Sequence, residues 1–416
     1  MKTRALHSSS RRGIALIIVM VVIFALSVLV AAFAYSMSVE MRLAQITDYD
    51  IELEWMGRSG VELARFALVN KCPEQRDIDS LNQFWAGGNA PCSNANPQLE
   101  AYSHGDGYAF KDFPLGSGKI SVKIVDMERK FNINFLSDPR MPQLEILQTA
   151  LEHCGVTDPS QSSKVIDSIL DWRNPAGGAA THVNGAKNEY YNRMIPPYNC
   201  KQGPIEDLSE LLLIQGVTPE MYWGPNSTNH PPAAYQQQQG FNHMPHSTKS
   251  RFQNEASDAA KVAMVEIFSP FGAKLNINTA DAKTLALLPG INDDTAQRIV
   301  EQRAGPDGRD GTEDDVPFHS VQELNSGLPG AGIPRGVPPG GVRGMQPPGA
   351  AGGIPGAPQV GIAAGGLAAF CDVRSYVFEV HVEAEINGVR RNFVGVVSRA
   401  GQGSTQLRCI RFHWEE

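Results

Sequence analysis

The side chains best placed to do chemistry in this sequence are carboxylates. In "GPDGRDGTEDDVPF" (305–318), Asp307, Asp310, Glu313, Asp314 and Asp315 crowd together with glycines between them. Calcium takes about six to eight hard oxygen ligands from flexible loops of such composition. The spacing is not that of an EF-hand, and a solvated acidic turn is the plain alternative. Asp171, Asn174 and Glu189 form a second oxygen-rich stretch and a second calcium candidate. Catalytic motifs are missing: there is no Gly-x-Ser-x-Gly, His-Glu-x-x-His or P-loop. The ten histidines are scattered, and His243 and His246 lie in a Gln/Pro/His-rich stretch. Asp171-Trp172-Arg173 reads as a tryptophan packed in a helix beside an ion pair rather than as an acid–base group. The chain is therefore expected not to be an enzyme.

Charge and cysteine usage narrow the partners and the compartment. The formal charge is −8, although Lys2, Arg4, Arg11 and Arg12 precede any acidic residue, so the body is more acidic still. An acidic body does not suit duplex DNA, whose phosphates need a basic face. The six cysteines (Cys72, Cys92, Cys154, Cys200, Cys371 and Cys409) include no CxxC pair, which is poor zinc spacing. An even number outside the cytosol points to disulfides. Pairing is not legible in the sequence; Cys72 with Cys92, across a polar Gly/Asn-rich loop, is the best local candidate.

These groups need elements to hold them. Residues 14–34 carry one polar side chain, Ser27. A helix rises about 1.5 Å per residue, so this run can cross a hydrocarbon core of about 30 Å. Positive charge before it and acid only from Glu40 onward put the N-terminus in the cytoplasm and the rest outside. A cleaved secretory signal ending at Ala34 is the competing reading. Against it, Leu43, Ile46, Tyr49, Leu53, Met56, Leu63 and Ala67 continue one helical stripe to about Val69, with no proline before Pro73.

Strand patterns follow. "GYAF" (107–110) and "GKISVKIVDMERKFNINF" (118–135) are β-type runs, and Ile120, Val122 and Ile124 alternate with polar residues. Near the end, "SYVFEVHVEAEINGVRRNFVGVVSR" (375–399) is a hairpin around Asn387-Gly388, and "QLRCIRFHW" (406–414) adds a third strand. The region between contains a repeat. "RKFNINFLSD" is echoed by "AKLNINTADA", each followed by a helix ending in arginine ("VIDSILDWR", "AQRIVEQR") and then by "DLSELL" or "SVQEL". Residues 327–366 are Gly/Pro/Ala-rich and read as a flexible linker. "LLPGINDDTAQRIVEQR" (287–303) has the form of a helix-hairpin-helix. Asn292, Asp293 and Asp294 stand where a DNA-binding version holds phosphate, so a structural use is expected.

The fold class expected is α+β: a long N-terminal helix plus an antiparallel sheet, with a large inserted all-α domain holding two helix-hairpin-helix-like repeats. The divisions expected are 1–13, 14–34, 35–70, 71–135, 136–326 (repeats 131–213 and 275–326), 327–366 and 367–416.

The long helix after a basic leader resembles the type IV pilin superfamily. "IVDMERKFNIN", "DWRN", "EYYNRMIPPYNCKQGPIEDLSELLLIQGVT" and "KLNINTADAKTLALLPG" resemble its minor pseudopilin K family of type II secretion. That resemblance implies cleavage between Gly13 and Ile14 by the prepilin peptidase and methylation of the new N-terminus. Ile18 occupies the fifth mature position, where most of the superfamily has glutamate and the K family does not. The resemblance also implies a single-pass inner-membrane protein with a periplasmic body. It would cap a pseudopilus beside minor pseudopilins I and J, contain calcium and bind no nucleic acid. A membrane-anchored DNA-uptake protein is the alternative.

Overall fold

A computed structural model describes residues 12–93, 101–103, 106–136, 144–174, 182–224, 262–324, 366–399 and 406–415, and the side chains from residue 16 onward. Residues 1–11 of the expected leader, His243, His246 and the Gly/Pro-rich run up to residue 365 lie outside the described residues.

The first element is one helix, α1, Arg12–Val69. Its first half is apolar all round and wholly exposed: Leu16, Val19, Ile23, Phe24, Leu29 and Phe33 contact nothing that buries them. Among the described residues this is the one helix long and apolar enough to cross a membrane. Its second half turns amphipathic. Leu53, Met56, Val61, Ala64, Ala67 and Leu68 are buried. The outward side carries the pairs Glu54–Arg58 and Glu62–Arg65, at i,i+4 and i,i+3 spacing. The helix stops before Cys72-Pro73, since a residue preceding proline is pushed out of the α region.

The buried stripe of α1 lies on a five-stranded antiparallel sheet of order β1-β2-β7-β8-β9. Its strands are β1 (Phe110–Leu115), β2 (Gly118–Asp126), β7 (Val377–Ile386), β8 (Val389–Arg399) and β9 (Leu407–Glu415). β1 starts where the expected "GYAF" run ends and extends beyond it. Alternation holds well in β7: Phe378, Val380, Val382, Ala384 and Ile386 are buried, while Glu379, His381, Glu383 and Glu385 face outward. The β7–β8 turn pairs Ile386 with Val389, and Asn387 and Gly388 take φ of 48° and 84°. Those are the positive angles a two-residue primed hairpin turn requires. Cys72 and Cys92 are disulfide-bonded, with Cα atoms 5.4 Å apart.

Between β2 and β7 the chain builds a second hydrophobic core from short helices. Ile146, Leu147, Leu151, Val165, Ile169 and Trp172 belong to it, as do Leu211, Leu285 and Ile299. The insertion departs from the all-α expectation at two points. β3 (Phe131–Asn132) pairs in parallel with β4 (Phe268–Ser269), and β5 (Leu275–Asn276) with β6 (Cys371–Asp372). The second of these ribbons ties the chain's return to the helical core, so Cys371 and Val373 pack there before β7 begins.

Two glycines set the helix-to-sheet distance. A Cβ at Gly57 would lie 2.5 Å from the Phe393 ring, and one at Gly60 2.5 Å from a Val382 methyl. Gly60→Ala is expected to destabilise the protein by about 1–3 kcal/mol through overpacking. The gain in helix propensity offsets about 1 kcal/mol of that. Thermal unfolding of the detergent-solubilised full chain measures it, and an unchanged midpoint would refute the close approach.

Candidate functional site

The site that joins the two cores is polar and buried. Asp79, whose side chain has no exposed surface, meets Arg399 through both oxygens, at 2.7 and 3.1 Å, and also pairs with Lys71. Arg399 also donates to the Ser375 carbonyl at 2.7 Å and stacks over the Phe378 ring. A residue from the end of β8 thereby holds the loop after α1. Burial pushes the Asp79 carboxyl up, but Lys71 and Arg399 outweigh it and hold it below the ordinary carboxylate range. Burial lowers Lys71 to about 8, against the pull of Asp79.

Two more acids lie beside this pair. Asp126 Oδ2 accepts from Ser375 and Thr279 hydroxyls, each at 2.5 Å, and from the Asn276 amide at 3.2 Å. Glu128 takes the backbone N–H of Ala273 on one oxygen, at 2.7 Å, and that of Tyr376 on the other, at 2.8 Å. It thus binds the start of the second repeat to the start of β7. Burial first, then the Asp126 charge, raises Glu128 to about 8. Asp126 is itself raised by burial, against its hydroxyl donors.

The sequence repeat is a repeat of contacts. In the first copy Asn132 accepts the N–H of Asn134 at 2.8 Å, and in the second Asn276 accepts that of Asn278 at 2.9 Å. Each second asparagine then grips a distant backbone through its whole amide. Asn134 exchanges two hydrogen bonds with Ile205, both 2.8 Å; Asn278 does the same with Phe318, at 2.9 and 2.8 Å. Each gripped residue leads into a helical turn whose glutamate caps its start. Glu210 accepts from the Asp207 N–H and Glu323 from the His319 N–H. The first asparagines differ. Asn132 donates to the Gly272 carbonyl, whereas Asn276 donates to Asp79 O, Asp126 and Ser375 in the junction.

The acidic stretches are less concentrated than their sequence suggests. In the second-copy loop Arg303, itself buried, takes Asp310 at 2.8 Å. Asp314 accepts from the Asp307 N–H and the Thr312 hydroxyl, and Asp315 from the Gly311 N–H. Asp307 accepts from the Arg309 N–H, and Glu313 is exposed. Burial pushes the Asp315 carboxyl up. The donor type suits calcium, yet the carboxylates serve the loop's own backbone, and no group of three or more His, Cys, Asp or Glu side chains converges among the described residues. In the first copy Asp171 pairs with His182, which the sequence did not single out, and Glu189 is exposed. Trp172 is buried edge-on against Tyr191 and donates to Glu210, a structural role. Gly13 and Ile14 lie in the first turns of α1, and Ile18 is exposed.

The comparisons with known proteins agree with this arrangement. Residues 129–223, which carry the first repeat, match the family "Type II secretion system (T2SS), protein K", and residues 271–308 match the helix-hairpin-helix motif. The resemblance to type II secretion system protein K holds. The protein K of Aeromonas hydrophila is 22% identical over half of this chain and 60% of its own length. That of Klebsiella pneumoniae is 23% identical over 51% and 60%. The chain thus spans about three fifths of the length of the curated relatives it matches. The crystal structure of the GspK-GspI-GspJ complex of enterotoxigenic Escherichia coli offers a solved protein K-type fold. Its match has a TM-score of 0.54 at 15% identity and covers 90% of this chain and 99% of that one. Long helix, antiparallel sheet and helical insertion therefore form the α+β, pilin-like architecture expected.

The junction predicts a pH dependence. The Glu128 carboxyl stays protonated in the fold up to about pH 8, against an ordinary value of 4.5. Its contribution is complete below the unfolded value and is lost as pH rises through the folded one. Stability should fall on the order of 2 kcal/mol between pH 6 and pH 8. Glu128→Gln should flatten that slope. Chemical denaturation of the two proteins across this window measures it, and parallel profiles would refute the assignment.

Proposed function

We propose that the chain is a minor pseudopilin at the tip of the pseudopilus of a type II secretion system, where it supports protein export across the outer membrane. The observation that carries this reading is a protein K-type helical insertion seated on a pilin-like helix and sheet. The exposed apolar half of α1 supports an inner-membrane anchor, with the N-terminus in the cytoplasm and the two cores in the periplasm. Acidic charge and the absence of a catalytic motif in the sequence support a structural rather than an enzymatic role. The bulk of the insertion would hinder a further subunit from adding above this one. Minor pseudopilins I and J are the partners proposed, since the solved neighbour is a complex with them.

The reading includes processing: the prepilin peptidase would cut after Gly13 and the new N-terminus at Ile14 would be methylated. Ile18 at the fifth mature position fits a tip subunit, which has no neighbour above it whose amine needs a carboxylate. Sequencing the mature protein should find Ile14 first. Gly13→Ala should retain the leader and abolish secretion, and normal secretion by that variant would count decisively against the proposal.

Calcium is proposed for the loop containing Asp307, Asp310, Glu313, Asp314 and Asp315. Support comes from its carboxylate density and from Gly305, Gly308 and Gly311, all at positive φ. Asp307 and Asp314 would have to turn from backbone donors to the cation. Chelation with EGTA is expected to lower the melting temperature of the full chain, with recovery on adding calcium. A midpoint indifferent to EGTA would remove the metal from the proposal.

The helix-hairpin-helix match favours a second reading, DNA uptake. Asn292 caps the helix Asp293–Arg303, and Asp293 and Asp294 fill its first turn, so the end that would face phosphate is acidic. A low-salt gel shift separates the two readings.

A further inference from the structure

Asp171 lies near the end of the helix Pro159–Arg173 with no exposed side-chain surface. A carboxylate in that position is costly unless its charge and lone pairs are met. Both donors to Oδ1 come from one residue: His182 Nδ1 at 2.8 Å and the His182 backbone N–H at 3.2 Å. Oδ2 is buried without a hydrogen bond. Gly185 covers it, because a Cβ built on that glycine would overlap Oδ2 and stand 2.9 Å from the Asp167 carbonyl oxygen. One turn earlier in the same helix, Asp167 Oδ2 accepts both the backbone and side-chain N–H of Asn184, each at 3.1 Å.

Calcium needs about six to eight oxygens at 2.3–2.6 Å. Asp171 presents one oxygen already engaged twice and another closed by a glycine α-carbon. Asn174 meets the Asp171 carbonyl through its backbone N–H, at 3.3 Å, and Glu189 faces solvent. The expected first-copy calcium set does not fit this arrangement.

We propose that His182 holds Asp171 in place of a cation. The imidazole and its own amide satisfy Oδ1 of Asp171, and Gly185 shields the second oxygen from solvent. His182 and Gly185 are positioning residues. They hold the turn around Asp171 and Trp172, whose carbonyls also contact Cys200 Sγ at 3.5 and 3.8 Å. The two repeats would then differ in kind, the first closed by the chain itself and the second open to calcium.

Trypsin digestion of the detergent-solubilised full chain, read by mass spectrometry, tests the proposal. Cleavage after Lys187 should proceed at the same rate in EGTA and in calcium. His182→Ala should raise that rate roughly tenfold, the change in open population expected from losing a charge-assisted hydrogen bond. Gly185→Ala should do likewise, and His182→Asn, which keeps a side-chain N–H donor, should recover most of the protection. Acceleration by EGTA in the wild-type protein would overturn the proposal, as would His182→Ala cutting no faster. Cleavage after Arg309 in the same digests reports the second loop separately, so failure at one loop is distinguishable from failure at the other.

Discussion

The structure depends on a charge that has no access to water. Asp79 is held by Arg399 and Lys71 and accepts the Ser375 N–H at 3.0 Å. Its own backbone N–H donates to the Val373 carbonyl at 2.9 Å. These partners come from the end of α1, the end of β8 and the segment that re-enters the sheet. Burying a charge is costly unless it is paired and hydrogen-bonded. That requirement brings four separate pieces of chain to one point, the fourth being Asn276 of the insertion, which donates to the Asp79 carbonyl. An apolar contact there would tolerate sliding; a bidentate arginine does not.

Around this point two hydrophobic cores of different character meet. The sheet core is built by period-two alternation and the helical core by short capped helices. Their border is crossed by Glu128, which accepts from the backbone of Ala273 and Tyr376, and by Asn276, which donates to the Asp79 carbonyl and to the Asp126 and Ser375 side chains. The duplicated Asn-Ile-Asn unit explains how the junction could arise from a repeat. Both copies use the second asparagine to fasten the backbone just before their own helical turn. Only the second copy turns its first asparagine into the junction. The network thus ties the second half of α1 and its sheet to the insertion through side chains that are buried on both sides of the border.

Much of the fold was legible. The run from Ile14 to Val69 has no proline and a single stripe, so a continuous helix was the only local solution. Asn387-Gly388 between alternating runs specified the hairpin. The repeat showed itself through identical Asn-Ile-Asn units, although the sequence did not reveal that each lies on a two-residue parallel ribbon, because ribbons so short leave no periodicity. The acidic loops were read from density alone. Density does not say which oxygen faces an amide, an arginine or a cation, so Asp310 on Arg303 and Asp171 on His182 were out of reach.

Local chemistry thus specified the long apolar helix, the strands, the turns and the duplicated motif, because these rest on residues close together in the chain. Long-range pairing lay outside it. Asp79 and Arg399 are separated by 320 residues and Asp126 and Ser375 by 249. Nothing near any of them in sequence marks it as a partner. They find one another only when the insertion has folded and returned the chain to the sheet. The same holds for Glu128, a plain residue in a strand-end motif until burial beside Asp126 makes it a weak acid that fastens one core to the other.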